Sequence, residues 1–249
     1  MKILVPVKRV PAPETRIRLL PDGSGLDESD VTWVVNPFDE IALEEALRLR
    51  DEHDVEEIVV VSVGPAEWAE QVRRGLAMGA DRGVLVEHDA AVDSLVVARI
   101  LQAVVLREKP DLVLMGKQAI DDDSSQVGPM LSALLGWPQA TFISRLELTG
   151  TVATCTRETD SGLQRVEVDL PAVLTTDLRL NEPRYVALPG ILRARKKPLG
   201  VLSIEDLGID ASPRTRVLGY TPPPARPAGV MVASVEELVT RLRDEARVI

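Results

Sequence analysis

Short, β-branched apolar runs alternate with longer amphipathic segments through the first part of this chain, up to about Arg145. Ile3–Val7, Ile58–Val63, Gly83–Val86 and Leu112–Met115 are nearly continuous apolar runs, the pattern of strands covered on both faces. Between them, apolar positions at helical spacing predict helices over Phe38–His53, Ala66–Met78, Ser94–Glu108 and Gln126–Leu135. Such alternation favours a parallel sheet with right-handed crossovers. After Arg145 the texture changes. Leu146–Leu148, Val152–Arg157 and Leu163–Leu170 are expected as antiparallel strands with a turn at Asp160-Ser161-Gly162, and Val173–Thr176 as one more short strand. The fold class expected is α/β: a mostly parallel sheet with helices on both faces, an antiparallel addition, and an extended C-terminal arm.

Two stretches stand outside this alternation. The connection after the first strand is long, and Pro21-Asp22-Gly23-Ser24-Gly25 within it predicts the tip of a hairpin excursion. Past Pro198 apolar periodicity thins, and Thr221–Pro227 is proline-rich and extended. A last helix is expected over Val235–Ala246, with Ser234 as N-cap and Glu237 completing a capping box. The expected division is residues 1–190 as the α/β domain and 191–249 as an arm that docks on a partner.

Composition narrows the function. The 29 basic and 39 acidic residues give a net charge of −10, which disfavours general affinity for nucleic acid or anionic membrane. No apolar run approaches the ~20 residues of a membrane span, and the start lacks a signal-peptide pattern, so a cytoplasmic protein without membrane insertion is expected. The single cysteine, Cys155, lies in a strand-like stretch and reads as a buried structural thiol. His53 and His88 sit in charged surroundings typical of surface loops. There is no Cys/His cluster of zinc type and no Gly-x-Ser-x-Gly elbow, so neither a metal site nor a catalytic set is expected.

The most informative segment is Asp111–Gly128. It runs from a buried strand through Gly116, across the polar loop Lys117, Gln118, Ala119, Ile120, Asp121, Asp122 and Asp123, and into a helix after Ser124, Ser125, Gln126 and Val127. In open parallel sheets ligands bind at such strand ends. Ser124 or Ser125 capping the helix would leave N–H groups directed at an anion; a well-capped helix after a polar loop explains the same residues without a ligand. The three aspartates would repel phosphate, and so read as caps, ribose-hydroxyl acceptors or solvated residues. A phosphate-binding Walker loop is excluded, because Gln118 follows Lys117 where Ser or Thr is required. In Asn36-Pro37-Phe38-Asp39-Glu40, Asn36 suits a cap, Pro37 the first turn, and Asp39 and Glu40 the helix dipole. Phe38, in a chain with only two Phe, two Tyr and three Trp, is either a partner for a flat ring or a core residue.

At these segments the chain resembles the electron-transfer flavoprotein beta subunit family. The resemblance rests on Val7–Val10, Asn36–Ala46, Ala77–Gly83, Gly116–Asp123, Gly136–Gln139 and Thr176–Tyr185, in the family's order. It implies a heterodimer with an alpha subunit that holds most of a shared FAD, while the beta subunit buries an AMP. It further implies an AMP pocket at Pro6, Asn36, Pro37, Phe38, Asp39, Val63 and Gly116–Val127, with Phe38 approaching the flavin. Thr176–Pro198 matches the loop that docks on partner dehydrogenases, with Leu188 as its projecting anchor and Arg193 and Lys196 beside it. Electrons would pass from flavin dehydrogenases, such as the acyl-CoA dehydrogenases of fatty acid β-oxidation, towards a quinone reductase.

The chain also departs from the family. Pro11-Ala12-Pro13 occupies a region where a tyrosine often approaches the flavin, and Ser125 and Pro129 replace a frequent asparagine and glutamine. Val127-Gly128-Pro129 resembles relatives that bind a second FAD in place of AMP. From the residues alone Leu188 is either an exposed anchor or packed at home beside Ile191 and Leu192. An adenine-nucleotide hydrolase or ligase of related fold would need a pyrophosphate-gripping Ser-Gly-Gly-x-Asp-Ser pattern, which the sequence lacks.

Overall fold

A computed structural model describes residues 1–226 and 228–249. Pro227, which closes the expected proline stretch, lies outside the described residues. The chain divides into two compact units, Met1–Ile17 with Glu28–Val217, and Arg18–Asp27 with Leu218–Ile249.

The larger unit is organised around β1 (Lys2–Pro6), whose side chains alternate between two cores. Ile3 and Val5 enter one and Leu4 the other. The same alternation runs through β4 (Glu57–Gly64) and β6 (Leu112–Gly116): Ile58, Val60, Leu112 and Leu114 face the first core, and Val59, Val61, Val113 and Met115 the second. Both faces of these strands therefore bury apolar surface, which is why their sequences read as unbroken apolar runs. α1 (Pro37–Glu52) and α2 (Ala69–Met78) cover the first face; α3 (Ser94–Glu108) and α4 (Val127–Leu135) cover the second.

The sheet has nine strands in the order β11-β5-β4-β1-β6-β10-β7-β8-β9. It adds β5 (Arg82–Glu87), β7 (Gln139–Thr149), β8 (Val152–Thr159), β9 (Gly162–Asp169), β10 (Ala172–Thr176) and β11 (Leu199–Ser203). Pairing is parallel from β11 to β7, then antiparallel from β7 to β9. The antiparallel addition is as expected, but β7 begins at Gln139, and its first residues pair parallel to β10. β2 (Arg9–Pro11) and β3 (Trp33–Val35) form a separate antiparallel ladder at the base of the excursion after β1.

Two expectations about the C-terminal part change. The division at 190/191 cuts through α5 (Leu188–Ala194), and Leu199–Ser203 joins the main sheet beside β5. The alternating Leu199, Val201 and Ser203 give too short an apolar pattern to read as a strand; register with Gly83–Glu87 makes them one. Cys155 is buried in the first core, and burial pushes its thiol up to about 12, as a structural thiol requires. His88 differs from its expectation: its Nε2 is buried with no hydrogen-bond partner among the described residues.

In the smaller unit the expected hairpin tip is present. Leu19 bridges Leu26, Leu20 N–H donates to Gly25 O (2.9 Å), and Gly23 adopts φ +69°. Tyr220 N–H then donates to Gly23 O at 2.8 Å. α7, after the four-residue α6 (Ile204–Leu207) of the larger unit, spans Val235–Thr240 and continues as a π-helical turn at Arg241–Glu245, where one helix to Ala246 is expected. Ser234 Oγ caps it by accepting Glu237 N–H (3.2 Å). The Glu237 carboxylate reaches one residue further back than a capping box requires, to Ala233 N–H (2.9 Å).

Candidate functional site

From β1 the chain proceeds to β4 and β5 on one side, then crosses to β6 and β10 on the other. The topological switch point, where open α/β sheets form a ligand crevice, therefore lies at the carboxyl ends of β1 and β6. Pro6 ends β1, Gly116 ends β6, and Val63 is the penultimate residue of β4. The start of α1 and the loop leading to α4 complete the rim.

α1 begins with Pro37 in its first turn, as predicted, but Asn36 does not cap it with its side chain. Asn36 is buried, its Nδ2 donates to Gln118 O (2.8 Å), and its Oδ1 accepts Ile120 N–H (3.2 Å). It ties the β6–α4 loop to the helix start. Asp39 likewise does more than complement a dipole. Only 6 % exposed, it accepts Lys8 N–H on Oδ2 (2.8 Å) and Gly116 N–H on Oδ1 (3.0 Å), clamping the ends of the two switch-point strands. Burial raises its carboxyl to about 7 against the lowering pull of those donors. Phe38 is also only 6 % exposed, so as the chain stands its ring packs inside, with the Lys117 ammonium 5.3 Å from its centroid.

Gly116 is required by this packing. A Cβ there would lie 2.3 Å from Asp39 Oδ1 and 2.7 Å from Phe38 Cβ. Gly116→Ala is expected to destabilise the chain by about 1–3 kcal/mol through overpacking, read as a lower urea midpoint at unchanged slope. Wild-type stability in that variant would show that α1 can yield here.

The loop after β6 departs from its expected capping. Neither Ser124 nor Ser125 caps α4; the N-cap is Gln126, whose side chain makes no cap bond. Asp123 and Ser125 adopt left-handed φ of 49° and 53°, and Gln126 is right-handed. Such alternation turns successive N–H groups towards one point. Among the described residues no acceptor meets the N–H groups of Ser125, Gln126, Val127 or Gly128. Ser124 N–H is held by Asp122 Oδ1 (3.1 Å), Gln118 Nε2 donates to Asp123 Oδ1 (2.6 Å), and Ser124 Oγ lies 3.4 Å from Ser94 Oγ. The aspartates that look wrong for an anion are largely accounted for. Lys8 Nζ sits 2.8 Å from Asp121 Oδ1 and 3.1 Å from Asp122 Oδ2. Burial alone would raise the Asp122 carboxyl, but Ser124 N–H and Lys8 hold it below the ordinary carboxylate range.

Lys117 is engaged within the protein. Its ammonium pairs with Asp177 Oδ2 (2.6 Å) and lies 4.9 Å from the Phe142 ring centroid. It ties the end of β6 to the end of β10 rather than presenting a free cation. Phe142 itself is held at φ 59° within β7, its N–H donating to Thr175 Oγ1 (3.1 Å).

Past Asp177 the chain forms a platform against α1 and α2. Arg184 forks onto Glu44 (2.9 Å from Nε to Oε2), and Asn181 Nδ2 donates to Glu45 Oε2 (2.8 Å). At Gly190 a Cβ would lie 2.7 Å from Ala77 O, so glycine lets α5 approach α2. Lys197 Nζ donates to Leu76 O (3.1 Å) at the end of α2. On this support Leu188 is 68 % exposed, with Tyr185, Leu192, Arg193 and Lys196 also exposed. Leu188 is not packed at home.

Lys8, Asp177, Glu44 and Arg184 lie in segments that carry the resemblance, yet none of their roles here is legible locally. Lys8 and Asp121 are separated by 113 residues, and no local pattern signals a pairing across that distance.

Fold and rim together define a doubly wound α/β protein whose switch point presents a run of backbone N–H groups without an acceptor among the described residues. The model of the Electron transfer flavoprotein domain matches residues 24–207. Over its full length the chain is 54 % identical to the Electron transfer flavoprotein subunit beta of Bradyrhizobium diazoefficiens, itself covered completely. It is 49 % identical to the mitochondrial subunit beta of Arabidopsis thaliana, with both chains fully covered, and 46 % identical to the subunit beta of Homo sapiens, covering 100 % of this chain and 99 % of the relative. The chain belongs to the electron transfer flavoprotein beta subunit family, which places it among electron carriers. No helix among the described residues is long and apolar enough to cross a membrane.

Proposed function

We propose that this chain is the beta half of a heterodimeric, cytoplasmic electron-transfer flavoprotein that buries an AMP at its switch-point crevice and contributes to a shared FAD held mainly by an alpha subunit. The flavin supplies the redox chemistry; this chain supplies placement and electrostatics. Electrons enter from flavin dehydrogenases, such as acyl-CoA dehydrogenases, and leave towards a quinone reductase. Docking by the dehydrogenases uses Leu188 as an apolar anchor, with Arg193 and Lys196 steering at its rim.

The observation that carries the nucleotide reading is the group of four N–H groups at Ser125–Gly128 that meet no acceptor among the described residues, at the N-terminal start of a nine-residue helix and beside the paired Asp121 and Asp122. These donors fit a single phosphate, which the helix dipole also favours. The hydroxyls of Ser124 and Ser125 add neutral donors at the same rim. Pro6, Asn36–Asp39, Val63 and the loop Gly116–Gln126 would frame the rest of the nucleotide.

The test is mass spectrometry of small molecules released by denaturing the purified complex. AMP in molar equivalence to the heterodimer is expected. FAD at twice that amount with no AMP would replace this reading with the type that holds a second flavin in the crevice.

A further inference from the structure

Lys8 lies in the Val7–Val10 segment, to which no ligand role attaches, yet three contacts fix it. Its N–H donates to Asp39 (2.8 Å), its carbonyl accepts Asn36 N–H (2.9 Å), and its ammonium bridges Asp121 and Asp122. Burial would lower its pKa, but the two aspartates hold it above the ordinary lysine value, so the ammonium stays charged at neutral pH. Asp122 in turn accepts Ser124 N–H, the residue between the two left-handed positions Asp123 and Ser125. The chain of contacts therefore runs from the end of β1, through Lys8 and Asp122, to the backbone that aims the free N–H groups of Ser125–Gly128.

We infer that Lys8 is a positioning residue of the crevice: it offsets the negative charge of Asp121 and Asp122, and holds their loop so that the Ser125–Gly128 N–H groups can receive the phosphate of a mononucleotide. This rests on the nucleotide reading above. Two effects contribute. Without the ammonium, two carboxylates would face a phosphate dianion across the same rim, a repulsion only partly screened at a half-exposed site. The loop would also lose its tether to β1, and Asp122 would be freer to leave Ser124 N–H.

The test measures AMP and adenosine binding by calorimetry on the full chain in its complex, stripped of nucleotide, for wild type, Lys8→Gln, Lys8→Arg and the triple variant Lys8→Gln/Asp121→Asn/Asp122→Asn. Thermal melting of each monitors folding. Lys8→Gln is expected to weaken AMP binding about tenfold or more while adenosine, which lacks the phosphate, is barely affected. Raising ionic strength should recover part of the loss, Lys8→Arg should retain affinity, and the triple variant should regain most of it, since asparagine keeps an acceptor for Ser124 N–H while removing the charge. Unchanged AMP affinity in Lys8→Gln, or equal losses of AMP and adenosine with no recovery in the triple variant, would overturn the assignment. Wild-type protein that takes up no AMP would instead remove the nucleotide reading, and this inference with it.

Discussion

Replacing Asp39 with asparagine is expected to flatten the pH dependence of this chain's stability between the ordinary carboxylate range and neutrality. Burial raises the Asp39 carboxyl to about 7 in the folded protein, well above its value of ~4 in an unfolded chain. Between those values the folded state binds more protons than the unfolded one, so stability falls as pH rises. The contribution is fully present below ~4 and lost by the time pH passes 7. A shift of that size corresponds to roughly 4 kcal/mol as an upper bound. Asparagine does not titrate, and its amide nitrogen cannot accept, so one of the buried N–H groups of Lys8 or Gly116 loses its partner, at a cost of about 1–3 kcal/mol. The variant should therefore be less stable than wild type near pH 5, with the gap closing or reversing by pH 8. Glu40 and Glu45, whose carboxyls burial also raises, are common to both proteins. Urea unfolding of both proteins at the two pH values checks this; parallel pH profiles would show that Asp39 does not titrate in this window.

Leu188→Ala is expected to lower dehydrogenase binding by ~2 kcal/mol or more, roughly thirtyfold, with almost no change in melting temperature. The side chain is 68 % exposed, so truncation removes little buried surface from the fold itself. α5 is held instead by buried Gly190 and Ala194, and by Arg73, which donates to the carbonyls of Ala194 and Lys197. Nucleotide content should not change. Dehydrogenase-coupled FAD reduction and thermal unfolding on the same protein separate the outcomes. Wild-type reduction kinetics would remove Leu188 from recognition, whatever happens to stability.

Much of the architecture was legible because it follows from period. Ile3–Val7, Ile58–Val63 and Leu112–Met115 read as doubly covered strands, and they form the centre of the sheet. Three of the predicted helices, over Phe38–His53, Ser94–Glu108 and Gln126–Leu135, match α1, α3 and α4 to within a residue at each end, because chain reversals and apolar stripes are local features. β11 was not legible. It has no apolar pattern long enough to stand alone, and it becomes a strand only because β5 presents a free edge.

The site divides in the same way. The amino-acid sequence by itself determined which segments reach the switch point, since Asn36–Asp39 and Gly116–Val127 adjoin strands and helices whose order follows from periodicity. It did not decide what their side chains do there. Asn36 and Asp39 have the composition of a helix start, yet Asn36 holds the far loop and Asp39 clamps two strands, because burial leaves those backbone N–H and C=O groups no water to bond. The aspartates Asp121 and Asp122 looked hostile to an anion until the fold brought Lys8 across 113 residues to meet them. Leu188 could have packed inward or outward with the same local sequence; the tether of Arg184 to Glu44 and the close approach of Gly190 to Ala77 leave it facing out. Period is encoded within a few neighbouring residues, whereas charge pairing and exposure depend on which distant segments the packed chain brings within a few ångströms.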